Sequence, residues 1–170
     1  MDPIIRIGEE TPKFELADLT GKTYSLTAMR GHIVVLNFWS AECDWCSRID
    51  QELMSLSKKW GDQVAVWWIA SNSNEEHALI RQAAIERHIS AVLNDADHKV
   101  ADLYEAQTTP HFFILDNQGI LSYQGAWDDV SFRQRTATRA YVPEVIEALT
   151  ANKPLEVTQT HAYGCTIVRY

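Results

Sequence analysis

Unbroken apolar blocks and apolar stripes of helical spacing alternate along this chain. The run His32–Phe38 is rich in β-branched residues, as a strand covered on both faces requires. From Cys43 to Trp60 the positions Cys46, Ile49, Leu53, Leu56 and Trp60 recur at three- to four-residue intervals and predict one face of a helix. Gly61 then supplies a C-terminal cap. Val64–Ala70 predicts a second buried strand, and Ser73-Asn74-Glu75-Glu76 reads as a capping box opening a helix through about His88. A third strand is expected near Ser90–Leu93, followed by a short helix ending at Tyr104. The run Phe112–Leu115, the turn Asp116-Asn117-Gln118-Gly119 and the run Ile120–Gln124 form a hairpin. Pro143 suits the first turn of a last helix with Val142, Val145, Ile146 and Leu149 on one face. Upstream, Phe14–Leu16 and Thr23–Leu26 flank Thr20-Gly21-Lys22 as a smaller hairpin. Together these predict an α/β domain with a mixed sheet. Residues 1–170 are read as one domain, with 1–30 an N-terminal extension and 152–170 a C-terminal tail.

A length of 170 residues supports one full hydrophobic core. The net charge of −8, with no basic run against it, excludes a nucleic-acid partner. No apolar run reaches transmembrane length. The start Met1-Asp2-Pro3-Ile4-Ile5-Arg6 lacks the charged-then-apolar order of a signal peptide. The expected compartment is therefore cytoplasmic, or periplasmic where an export segment has been removed. Three cysteines are too few, and odd in number, for a disulfide-stapled scaffold.

Cys43 and Cys46 are a C-x-x-C at the start of the helix, close enough for one disulfide. Unpaired N–H groups and the helix dipole at Cys43 favour a thiolate, while Cys46 continues the apolar stripe. The expectation is an exposed attacking sulfur at Cys43 and a shielded resolving sulfur at Cys46. That is a redox site.

The order of elements, the C-x-x-C and Thr109-Pro110 before a late strand resemble the thioredoxin fold. The stretches Gly31–Trp39, Thr109–Asp116, Tyr123-Gln124-Gly125 and Thr160–Ile167 resemble the thioredoxin-like/redoxin group within the thiol-specific antioxidant superfamily. This resemblance implies a mixed central sheet flanked by helices, with an N-terminal hairpin and a C-terminal tail. It implies that Cys43 is the nucleophile, Cys46 the resolving cysteine and Pro110 a cis proline. Thr109 would then offer its backbone to a substrate strand. It implies a monomer that carries its redox equivalents in the Cys43–Cys46 disulfide, with no metal or other cofactor. The implied partners are protein thiols and disulfides and an upstream electron donor.

Departures from the family pattern tune that chemistry. Glu42 replaces the tryptophan usual before the first cysteine, and Asp44 and Trp45 fill the gap, while Trp39 keeps the family's other tryptophan. Two carboxylates beside Cys43 disfavour a thiolate, so the disulfide is expected to be a weak oxidant and the protein a reductant. Asp44 reads equally as a dipole-complementing acid in ion-pair register with Arg48, and either Glu42 or Asp44 as a proton-handling group. Asn37 stands where many thioredoxins bury an acid, so another carboxylate or a water must serve Cys46. Trp39 and Trp45 are the tryptophans expected to shape a substrate surface. His111 reads as a satisfied surface histidine or a group bordering the site. Cys165 reads as an inert tail thiol or a third redox thiol.

Other functions fit less well. A peroxidase needs P-x-x-x-T-x-x-C; counting back from Cys43, Ser40 can stand for the threonine, but Leu36 occupies the proline position. A copper(I) carrier would use Cys43 and Cys46 as soft ligands, although such carriers space them wider. A non-catalytic adaptor would need neither cysteine.

Overall fold

The computed structural model describes residues 5–170, so Met1–Ile4 of the N-terminal run lie outside the described residues. β1 (Glu15–Ala17) and β2 (Thr23–Ser25) form the small antiparallel hairpin, with Leu16 opposite Tyr24. Asp18 closes its turn by accepting from the backbone N–H groups of Thr20 and Lys22, at 2.8 and 3.1 Å. Then come β3 (Ile33–Trp39), α1 (Asp44–Trp60), β4 (Val64–Ala70), α2 (His77–Glu86) and β5 (Val92–Asn94). The chain continues through α3 (Lys99–Leu103), β6 (Thr108–Thr109), β7 (His111–Leu115), β8 (Leu121–Gly125), α4 (Tyr141–Thr150) and β9 (Cys165–Thr166).

The central sheet is five-stranded in the order β5-β4-β3-β7-β8. β3, β4 and β5 are parallel, because α1 and α2 supply the crossovers that parallel neighbours need. β7 runs antiparallel to β3 and turns through the 116–119 loop into β8. Ile33, Val35 and Trp39 pack in one core cluster with α1, α2 and α4. Val34, Leu36 and Phe38 pack in a second, with Phe14, Leu26 and Tyr104. Both faces of β3 are thus covered, which is why its sequence does not alternate. On α1 the side chains of Cys46, Ile49 and Leu53 are buried, and each such Leu or Ile contributes about 1.5–3 kcal/mol.

Some elements depart from the sequence expectations. The strand expected over 90–93 is displaced to Val92–Asn94. The Ser73–Glu76 capping box does not form: α2 starts at His77, and its N-cap, Glu76, makes no side-chain cap. Glu75 is buried instead, where it accepts hydrogen bonds from the loop before α1. No helix among the described residues is long and apolar enough to cross a membrane.

Residues 152–170 form a strap. Gln159 bridges Gln124 of β8, and the Thr160 N–H donates to the Gln124 carbonyl at 3.0 Å. Beyond it β9 pairs antiparallel with β6, Thr109 opposite Cys165. Ile167 is then buried in the second core cluster, and the Val168 N–H donates to Asn72 Oδ1 at 2.8 Å. The chain between Thr160 and Cys165 spans these two anchorages.

Candidate active site

Cys43 is the N-cap of α1, in extended conformation with φ −89° and ψ 119°. Its carbonyl accepts the N–H groups of Cys46 and Ser47 at 3.0 and 3.1 Å, which starts the helix directly at the motif. The Cys43 Sγ lies 3.1 Å from the Thr109 carbonyl oxygen. Thr109 is wholly buried, and its bond to Pro110 is cis. Cys43 is disulfide-bonded to Cys165, with the Cα atoms 6.2 Å apart, and Cys46 is a free, buried cysteine. The expected exposed sulfur is therefore covered: Cys43 is 2% exposed, because the strap lies over it. Close approach of the strap needs Gly164, where a Cβ would stand 2.0 Å from the Thr109 carbonyl oxygen.

Cys46 faces a different environment. Burial pushes its thiol up to about 12, with Asp50 adding in the same direction against the Ser40 backbone. Asp50, one turn along α1, is 1% exposed. It accepts from Trp39 Nε1 at 2.8 Å, Trp68 Nε1 at 3.4 Å and Arg87 Nη1 at 2.9 Å. Burial raises the Asp50 carboxyl, and the bonds from Trp39 and Arg87 oppose it. Arg87 also donates to the Ala41 carbonyl at 2.6 Å, which ties α2 to the loop before the motif. In that loop the Ser40 hydroxyl and the Glu42 N–H donate to Glu75, at 2.6 and 3.2 Å. Asp50 is thus a buried carboxylate one turn along α1 from Cys46, whereas Asn37, on β3, cannot titrate. Asn37 is itself buried, and its amide has no partner among the described residues.

The outer rim is open. Glu42 and Asp44 are exposed. Arg48 does not pair with Asp44; it makes a bidentate bond to Asp128 at 2.8 and 3.0 Å, which spends its charge outside the motif. Trp45 packs edge-on to Phe132 at 5.3 Å and stacks with Tyr163 of the strap at 6.4 Å. Arg48, Val130, Phe132 and Arg135 join Trp45 around a cavity of about 300 Å³. Trp39, expected at a substrate surface, is fully buried and serves Asp50 instead. His111 is likewise buried, not on the surface: its ring stacks on Phe113 at 4.5 Å, and Nδ1 accepts from the Gln107 N–H at 3.3 Å. Burial, with His161 nearby, lowers it to about 4.

The structure brings Cys43, Cys46, Thr109, Pro110, Trp45 and Cys165 to one place. Sequence reasoning missed Asp50, Arg87, Glu75, Asp128 and Phe132. Asp50 alone left a signal, an acid four residues after Cys46 and next to Ile49 on the apolar stripe.

Known proteins resemble this chain in sequence and in fold. The chain is 29% identical over 119 residues to the thioredoxin-like protein YneN of Bacillus subtilis, covering 69% of each. It is 29% identical to the thiol-disulfide oxidoreductase ResA of Halalkalibacterium halodurans, covering 68% of this chain and 66% of that protein. It thus spans about two thirds of the length of these relatives. A hypothetical protein from Sinorhizobium meliloti superposes with TM-score 0.85 at 27% identity, over 98% of this chain and 95% of that one. The thioredoxin domain of a thiol-disulfide oxidoreductase from Bacteroides vulgatus superposes with TM-score 0.64 at 20% identity, over 77% of this chain and 93% of that one. The fold is the thioredoxin fold. A family model matches residues 7–124, and on that match the chain belongs to the AhpC/TSA family.

Proposed function

We propose that the protein is a thiol–disulfide oxidoreductase that reduces protein disulfides through Cys43 and Cys46. One observation carries this reading: two sulfurs a helical turn apart are unequal, Cys43 at the helix N-terminus against Thr109, Cys46 enclosed and held protonated. Cys43 as thiolate attacks a substrate disulfide, a mixed disulfide forms, and one substrate thiol leaves. Cys46 then attacks Cys43 and releases the second substrate thiol, so the substrate gains two electrons and the motif loses them. Asp50 is the buried carboxylate nearest in kind to the acid that Asn37 replaces, and it supports proton removal from Cys46. The acidic rim of Glu42 and Asp44 favours the reducing direction. Both sulfurs, the Thr109 edge and the strap come from one chain, which supports a monomer as the working unit.

A peroxidase reading finds less support: Ser40 gives its hydroxyl to Glu75, and Leu36 is buried in β3. Insulin reduction with dithiothreitol tests the proposal. The wild type should turn over, and the pre-reduced Cys46→Ser/Cys165→Ser double variant, mixed with insulin after dithiothreitol is removed, should accumulate covalent adducts through Cys43, since neither sulfur that can reach Cys43 remains to release them. Turnover by wild type with no adduct on the double variant contradicts the two-cysteine mechanism.

A further inference from the structure

The strap places a third sulfur on the attacking cysteine. Cys165 is exposed, whereas Cys43, its disulfide partner, is buried. The strand that carries it pairs with Thr108 and Thr109, the backbone edge at which a substrate strand would add. Anchors hold it from both sides: Thr160 on β8, then Ile167 in the core and Arg169 on Asp102 at 2.7 Å. The Thr160 Oγ1 also bonds the Tyr123 hydroxyl and the Ala126 N–H, at 2.6 and 2.9 Å. Between the anchors Tyr163 covers Trp45, and Gly164 fits against Thr109 because it lacks a Cβ. A cysteine so tethered has a high effective concentration at Cys43.

We propose that Cys165 is a third catalytic cysteine, which carries the disulfide from the enclosed Cys43–Cys46 pair to the surface, where a dithiol donor reduces it. This rests on the dithiol reading of Cys43 and Cys46. After substrate reduction the Cys165 thiolate attacks Cys43 Sγ. The Cys43–Cys165 bond forms, the Cys43–Cys46 bond breaks, and Cys46 takes up the proton that Cys165 lost; no electrons are exchanged with the outside. A donor thiolate then attacks Cys165 Sγ, and Cys43 leaves as a thiolate at the helix N-terminus. The donor's second thiol displaces Cys165, so the donor ends as a disulfide and the protein as three thiols. While β9 is docked the Thr109 edge is occupied, so substrate enters only after Cys165 has been reduced.

The test uses the full chain, oxidised with diamide, quenched in acid, alkylated and digested for mass spectrometry. The expected product is Cys43–Cys165 in excess over Cys43–Cys46. In steady-state insulin reduction driven by dithiothreitol, Cys165→Ser should be slower by about fivefold or more, since donor access then depends on the covered Cys43. Gly164→Val keeps every sulfur but pushes the strap off Thr109, and on diamide oxidation should shift the product from Cys43–Cys165 to Cys43–Cys46. The first turnover of pre-reduced wild type on insulin checks the dithiol reading separately. If that turnover occurs but oxidation yields only Cys43–Cys46, and Cys165→Ser runs at the wild-type rate, the relay is overturned and the dithiol reading stands. If the first turnover fails, both fall.

Discussion

Cys43 and Cys46 are three residues apart, yet the regions around them are built from different materials. The inner region is closed: Asp50 gathers the Trp39 and Trp68 indoles and the Arg87 guanidinium, so both carboxylate oxygens are paired within the core. The outer region is made of pieces brought from far along the chain, namely the Thr109 edge, the Arg48–Asp128 pair, Phe132 and the strap. The helical period produces the contrast, since the N-cap projects off the end of α1 while the residue three positions on joins the buried stripe. One motif thereby acquires a sulfur that other strands can reach and a sulfur that only Cys43 can meet.

Breaking the inner region should have the largest effect on stability. Asp50→Ala leaves the Arg87 guanidinium without its carboxylate and the two indoles without an acceptor. The expected loss is about 3–5 kcal/mol in denaturant unfolding. A loss under about 1 kcal/mol would mean that Asp50 is not the organising acid of the inner region.

Acid probes the ground between the two regions through His111, beside Pro110. Its pKa is depressed in the fold to about 4 from an ordinary value of 6.5, so the unfolded chain binds the proton first. The stability it contributes is full above pH 6.5 and is lost as pH falls from 6.5 to 4, by about 3 kcal/mol at most. His111→Phe should flatten that part of the pH–stability curve, and a curve unchanged by the substitution contradicts the burial argument.

The outer region should respond least. Arg48→Ala removes a half-exposed bidentate pair and should cost about 1–2 kcal/mol, measured by thermal unfolding. A cost as large as that of Asp50→Ala would erase the distinction between the regions.

The same contrast explains what the sequence makes legible. The sheet and α1 are readable because β3, β4 and the Cys46–Ile49–Leu53 stripe carry their burial in local pattern. The C-x-x-C and Thr109-Pro110 are readable because their spacing marks them. Arg48 is misread because Asp44 is near in sequence, whereas Asp128 reaches it only through the fold. Glu75 is missed because the local capping-box pattern runs from Ser73 to Glu76, whereas Ser40 and Glu42 reach Glu75 only once the chain ends of β3 and β4 lie side by side. The pairing of Cys165 with Thr109 has no local signature at all; β9 is two residues long, and register fixes it only once β6 is in place.

The most direct test of the unequal-sulfur account is competitive alkylation of the fully reduced protein at about pH 8, with each cysteine followed by mass spectrometry. Cys43 should be modified well before Cys46, whose reaction should rise only on unfolding or as pH approaches 12. Equal rates for the two, or Cys46 reacting first in the folded protein, would contradict the assignment of Cys43 as attacker and Cys46 as resolver.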